Sequence, residues 1–154
     1  MLSFKIMDVL TAIESIVAEG CLSDGRGRTG GCLVAIEYGE KPLFTLPIGE
    51  VSDIKTQSNY WVNAQEKTCR VDVNHNDITA WQTRDFDGKK YGGAIRATDG
   101  NVYGFSGLSE HWDECVSCAV AYVVNPESMP EERLRAIAEI SKNPHLVTFC
   151  LKHR

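Results

Sequence analysis

Residues 91–114, YGGAIRATDGNVYGFSGLSEHWDE, leave this chain less conformational choice than any other stretch of it. Two short runs, AIRAT and VYGFSG, flank Asp99-Gly100. An Asp-Gly pair between apolar runs is the signature of a tight β-hairpin, expected here as type I′. Gly92-Gly93 ahead of the first run supplies φ values that side chains avoid, so the backbone is expected to turn into the sheet there. Gly104 leaves one sheet position bare, which marks either a bulge or the close approach of a neighbour. Ser109 reads as a helix N-cap, with Glu110, Asp113 and Glu114 in the first turn, where carboxylates meet the positive helix end. Trp112, Val116, Ala119, Val120 and Val123 recur at helical spacing and predict a buried face ending at Asn125-Pro126.

The remaining chain alternates between helical and strand periods. Ile6, Val9, Leu10, Ile13, Ile16 and Val17 predict an amphipathic helix over residues 3–19, stopped by Gly20 and followed by a glycine-rich loop. CLVAIEY reads as a strand, GEKP as a turn and LFTLPIG as the hairpin partner, with Pro47 marking a sheet edge or a bulge. Val51, Ile54, Ser58, Trp61, Val62, Gln65 and Cys69 share one face of a long helix running to about Val71, stopped by VNHND. ITAWQTRDFDGKK fits a short helix or a loop. SMPE starts another helix, with Pro130 near its first position, Ser128 and Glu131 as a capping box, and Leu134, Ile137 and Ala138 facing inward up to Asn143-Pro144. The tail LVTFCLK reads as a last strand. One α+β domain over residues 1–154 is expected.

Composition narrows the partners. The chain has 154 residues and a net charge of −5, with 43% apolar and 24% charged residues, the proportions of a globular domain able to bury a core. An acidic surface repels phosphate backbones, so no nucleic-acid partner is expected. No apolar run approaches the roughly 20 residues of a membrane span, so no membrane partner is expected either. The first twenty residues carry Asp8 and Glu14 and lack a cleavage pattern, which favours a mature helix over a signal peptide. Six cysteines without a secretory signal read as buried reduced thiols, and the expected location is cytoplasmic.

Few residues group into chemistry. Gly25–Gly30, GRGRTG, matches G-x-G-x-x-G, but a helix leads in and a strand leaves, the reverse of a dinucleotide site. The loop is a solvated turn or an anion cradle. Cys115-Val116-Ser117-Cys118 lacks the second ligand pair of a zinc site, and Cys118 lies within an apolar face; no metal ligands are assigned. His111, beside Trp112 at a helix start, is a surface histidine or a ligand contact. No hydrolase, P-loop or metalloprotease motif is present, so catalytic residues stay unassigned.

Gly92-Gly93, Gly100, Gly104, Ser106-Gly107, Asp113 and Ala119/Ala121 fall in a pattern that resembles the second half of the GlcG/HbpS-like family, also called the haem-degrading or PduO C-terminal family. CLVAIEYGEKPLFTLPIG looks like that family's first hairpin, and Lys67 falls where its long helix often carries a lysine. The resemblance spans about Gly31 to Ala121. It implies a profilin- or PAS-like fold, an antiparallel sheet of about five strands with helices packed on it, assembled into a homo-oligomer. It also implies a small-molecule ligand of haem or corrinoid type, haem being the cofactor candidate. The expected ligand site lies beside the second hairpin, at Tyr91, Gly92, Gly93, Ser106, Ser109, His111 and Trp112. Glycines there allow close backbone approach, and an indole beside an imidazole offers a flat ligand a stacking surface. The rival reading is an interaction module whose aromatics serve a subunit or partner interface.

Overall fold

The structure, a computed structural model, describes residues 1–39 and 43–154. Four strands, β1 (Gly30–Ile36), β2 (Phe44–Gly49), β3 (Ala94–Arg96) and β4 (Val102–Ser106), form one antiparallel sheet in the order β2-β1-β4-β3. The α+β class is as expected, with four strands among the described residues rather than about five. Pro47 sits on edge strand β2 opposite Cys32, where a missing N–H costs no ladder bond. Of the expected GEKP turn, residues 40–42 lie outside the described residues.

The period-2 alternation of the strands divides the core. Leu33 and Ala35 of β1 and Tyr103 and Phe105 of β4 join the larger apolar cluster with α2 (Leu10–Asp24) and α4 (Glu110–Val124). Val34, Ile36 and Val102 point the other way, toward α3 (Ile54–Val73). Thus α3 covers one face of the sheet, while α2 and α4 cover the opposite face. Outside α4 lie α5 (Glu131–Ser141) and α6 (Leu146–Lys152), and α1 (Leu2–Asp8) adds Leu2 and Ile6 to the larger cluster.

Several sequence expectations change on contact with tertiary packing. The tail is helix α6, because Leu146, Phe149 and Cys150 are buried at helical spacing and Phe149 meets Trp112 edge-on at 5.7 Å. The first helix breaks at Val9 (φ −114°, ψ 21°) and then runs through Gly20 to a left-handed C-cap at Gly25. Gly20 stays helical as a contact point, since a Cβ there would stand 2.9 Å from Val116 Cγ2. The capping box expected at Ser128 is absent; that hydroxyl donates to Asn125 O (2.7 Å), and Pro130 is the N-cap of α5. A capping box closes Ala80–Thr83 instead, through Thr79 and Gln82, making the ambiguous ITAWQT segment a 3₁₀ turn.

Two further corrections bear on the site. The buried side of α3 is Ala64, Lys67, Thr68, Arg70 and Val71, and most of the apolar face read from the sequence points outward: Ile54 is 77% exposed, Val62 54% and Trp61 47%, while Cys69 packs against the buried cluster on the α3 face of the sheet. The β3–β4 turn is not type I′. Gly100 N donates to Ala97 O and Ala97 N to Asn101 O, a three-residue loop in which Gly100 has φ +90°. Asp99 is absent from the positive-φ residues, so the turn is a type I turn followed by a left-handed glycine.

Gly104 shows a close approach rather than a bulge. A Cβ on it would lie 2.0 Å from Thr68 Oγ1 of α3, and Gly104 keeps regular pairing with Val34 and Ala94. Gly104→Ala should therefore destabilise the fold by about 1–3 kcal/mol through overpacking, and Thr68→Ala in the same chain should recover part of that loss. Urea denaturation of the single and double variants measures both effects.

Candidate functional site

The inward side of α3 is mostly small or apolar, yet it carries Lys67, which is 1% exposed. An ammonium that deep requires a countercharge. It finds one across the end of the sheet in Asp113 of α4, with Nζ to Oδ2 at 3.0 Å. Lys67 also donates to Gly92 O (3.2 Å), and Asp113 Oδ1 accepts from Leu108 N (2.8 Å). The pair thus joins the two helices on opposite faces of the sheet, where β3 begins and β4 ends.

Gly93 makes that meeting sterically feasible. Its φ is +120°, and a Cβ there would stand 2.7 Å from Lys67 Nζ and 2.8 Å from Asp113 Cβ. The Gly93 carbonyl accepts from Ser117 Oγ (2.6 Å), which in turn accepts from Phe105 N (2.9 Å), so α4 fixes both strands at this point. Burial pushes the Asp113 carboxyl up to about 7, against the opposing pull of the Lys67 ammonium and the Leu108 N–H.

Above the pair opens a cavity of about 460 Å³. Lys67 and Asp113 line it together with Ser106, Ser109 and Glu110, the aromatics Tyr60, Phe86 and Tyr91, and the cations Arg26 and Arg28. Arg28 Nη1 donates to Tyr60 OH (2.6 Å) and to Gly107 O (3.1 Å), which ties the Gly/Arg loop to the cavity wall. Tyr91 is placed from below by Arg70, which donates to its carbonyl and also to Ala80 O (2.8 Å) and Thr83 Oγ1 (2.7 Å). Glu110 pairs with Arg84 and accepts from Gly92 N, holding the segment that carries Phe86 and Tyr91 against α4. A second hollow, of about 400 Å³, lies between β2 and α3 against Pro47, Tyr60 and Trp61, with no charged side chain among the described residues that line it.

Of the residues expected at the site, Tyr91, Ser106 and Ser109 line the cavity. Gly92 and Gly93 do not line it but contact Lys67, which does. Ser109 is the N-cap of α4 by position, but its hydroxyl donates to Asp24 Oδ1 (2.6 Å). His111 and Trp112 lie outside this group. Asp113 faces the cavity, and each step of about 100° along the helix turns its neighbours away. Trp112 stacks on His145 at 4.4 Å; His111 stacks on Trp81 at 4.7 Å, with Nε2 2.9 Å from Ser141 O.

Sequence reading missed the ion pair as the centre of the site. The signal was available in the spacing: Asp113 is one helical turn before Val116 and Ser117, and so belongs to the inward side of α4. Its neighbour Glu114 is likewise buried rather than solvated, accepting from Thr79 Oγ1 (2.6 Å), Ser141 Oγ (2.5 Å) and Asn143 Nδ2 (3.0 Å). Those donors offset a burial that raises its carboxyl above the usual range. Cys115 and Cys118 are core thiols, both raised by burial, and Cys150 Sγ lies 3.7 Å from Cys115 O. No family model, curated protein or solved structure matches the chain.

Removing one charge of the pair tests its role. Lys67→Met leaves Asp113 buried without its cation, so the folded carboxyl titrates higher still, while the unfolded one stays at about 3.9. The folded state then holds the extra proton over that interval, and stability falls as pH rises through it. The expected loss is about 3–5 kcal/mol at pH 8 and distinctly less at pH 5, measured by denaturant unfolding at both.

Proposed function

We propose that this chain is a small-ligand-binding protein of the GlcG/HbpS-like type, with its site in the cavity above Lys67 and Asp113. The observation that carries this reading is a buried ion pair beneath a hollow lined by tyrosine, phenylalanine and arginine, with the Glu110 charge held by Arg84. Such a lining suits a ligand with a flat body and an acidic group. Tyr60 and Tyr91 offer ring faces and hydroxyls, and Arg26 and Arg28 supply positive charge at the loop. Asp113, with its carboxyl near neutrality, can accept or donate a hydrogen bond according to pH.

Haem is the less favoured ligand within this reading. The cavity lining contains no histidine, and His111 is engaged by Trp81 and the Ser141 carbonyl. Cobalamin, with neutral amides at its periphery, engages Arg26 and Arg28 less well than a flat carboxylate does. A purely interaction role is the second reading, favoured by the exposed Ile54, Trp61 and Val62 of α3.

Native mass spectrometry of the purified protein and thermal-shift titrations with haemin, cobalamin and benzoate test the proposal. A bound adduct or a stabilising shift is expected for the wild type, reduced at least tenfold in affinity in Tyr60→Ala. His111→Ala should leave that affinity unchanged. A wild-type protein with no adduct and no shift with any of the three probes would contradict the reading.

A further inference from the structure

Helix α3 covers its face of the sheet unevenly. It packs on β1, β4 and β3, and edge strand β2 lies largely beyond it. Thr45 and Pro47 of β2 therefore stay exposed, although their ladder partners Val34 and Cys32 are buried on that same face. Asp53 fixes where the covering helix begins by accepting from Thr56 N (3.1 Å), and Trp61, about two turns further on, is 47% exposed. Between helix and strand lies the second hollow, of about 400 Å³. Small-molecule sites span roughly 300–1,000 Å³.

We propose that this hollow is a second ligand site, for an uncharged planar aromatic molecule that carries an amide or hydroxyl group. Trp61 on the helix side and Pro47 on the strand side supply apolar walls, and an indole gives a flat ring a stacking surface. Partners for one polar edge stand beside them. The Thr45 and Ser58 hydroxyls have no hydrogen bond among the described residues, and Gln57 Nε2 donates to Val51 O, which leaves the Gln57 carbonyl oxygen to accept. The absence of charge selects the class. No charged side chain is among the described residues that line the hollow, and burial pushes the Cys32 thiol at its floor up to about 11. An ion bound there would lose hydration without gaining a countercharge. The cavity over Lys67 and Asp113 differs in this respect, since its arginines suit an acid. Among the described residues, Tyr60 is the one that lines both hollows, so the second site goes beyond the first reading and stands without it.

Benzamide and benzoate, one ring with a neutral or an anionic group, test the site. The chain has three tryptophans, so nitrogen-15 correlation spectra of the indole N–H groups report where each probe binds, with Trp61 assigned from Trp61→Ala. Benzamide is expected to shift the Trp61 signal saturably, to leave Trp81 and Trp112 in place, and to resist displacement by excess benzoate. Trp61→Ala should weaken benzamide binding about tenfold, followed at the backbone amides around Ser58. Thr45→Trp, which fills the hollow from an exposed edge position, should abolish it. Both positions are exposed, so circular dichroism should report folded variants. A Trp61 signal unmoved by benzamide up to about 10 mM would overturn the proposal. Benzoate shifting Trp61 as strongly as benzamide would overturn the assigned class, and this comparison needs the wild type alone. Undiminished benzamide affinity in Thr45→Trp would place the ring elsewhere and overturn the site.

Discussion

Two opposite charges with almost no access to water, Lys67 and Asp113, meet past the end of the sheet, and much of the local architecture follows from bringing them together. Neither charge is tolerable alone at that depth, because desolvating an ion costs several kcal/mol that only a close, hydrogen-bonded partner offsets. The meeting requires α3 and α4, on opposite faces, to approach around the start of β3. It therefore requires Gly93, whose missing side chain vacates the space that the ammonium and the Asp113 Cβ occupy. It also requires the Gly92 carbonyl and the Leu108 N–H to complete the coordination of the two charges.

A buried ion pair is a poor investment in stability alone, since a well-packed apolar pair of similar volume commonly does as well. Its position suggests the other reason to keep it. The pair forms the floor of a cavity ringed by Tyr60, Phe86 and Tyr91, and it holds an ionisable carboxyl near neutrality beneath them. Polar groups at the bottom of an aromatic hollow are the usual means of orienting a small ligand. Arg70 and Arg84 support that hollow from outside and Glu110 from its wall, each fixing the backbone or side chains of the 80–91 segment.

The local signals in the sequence proved sound where one physical cause dominated. Asp99-Gly100 marked a turn, though not of the expected type I′; Pro47 marked an edge or a bulge and stands on an edge; Gly104 marked a bulge or a close neighbour and has the neighbour, Thr68. Failures occurred where a pattern could serve two surfaces. The most apolar stripe of α3 was read as its core side, but small residues, Ala64 and Thr68, are what let this helix lie close to Gly104 and the sheet. LVTFCLK suits a strand by composition and a helix by spacing, and its contacts with α4 decided for the helix. At the site, Tyr91, Ser106 and Ser109 were legible because they flank the hairpin. Lys67 and Asp113 were each noted through the family resemblance, but their pairing was not legible, because they lie 46 residues apart and no local pattern encodes that contact.

The central claim is that Asp113 is a desolvated carboxyl poised near neutrality by its place under the cavity, with Lys67 keeping it from rising further. Carbon-13 NMR observation of the Asp113 side-chain carboxyl across a pH series measures this directly. The account predicts a titration midpoint near 7 in the wild type. A midpoint at or below the ordinary aspartate value of about 3.9 would contradict it, because it would show a fully solvated or fully compensated carboxylate.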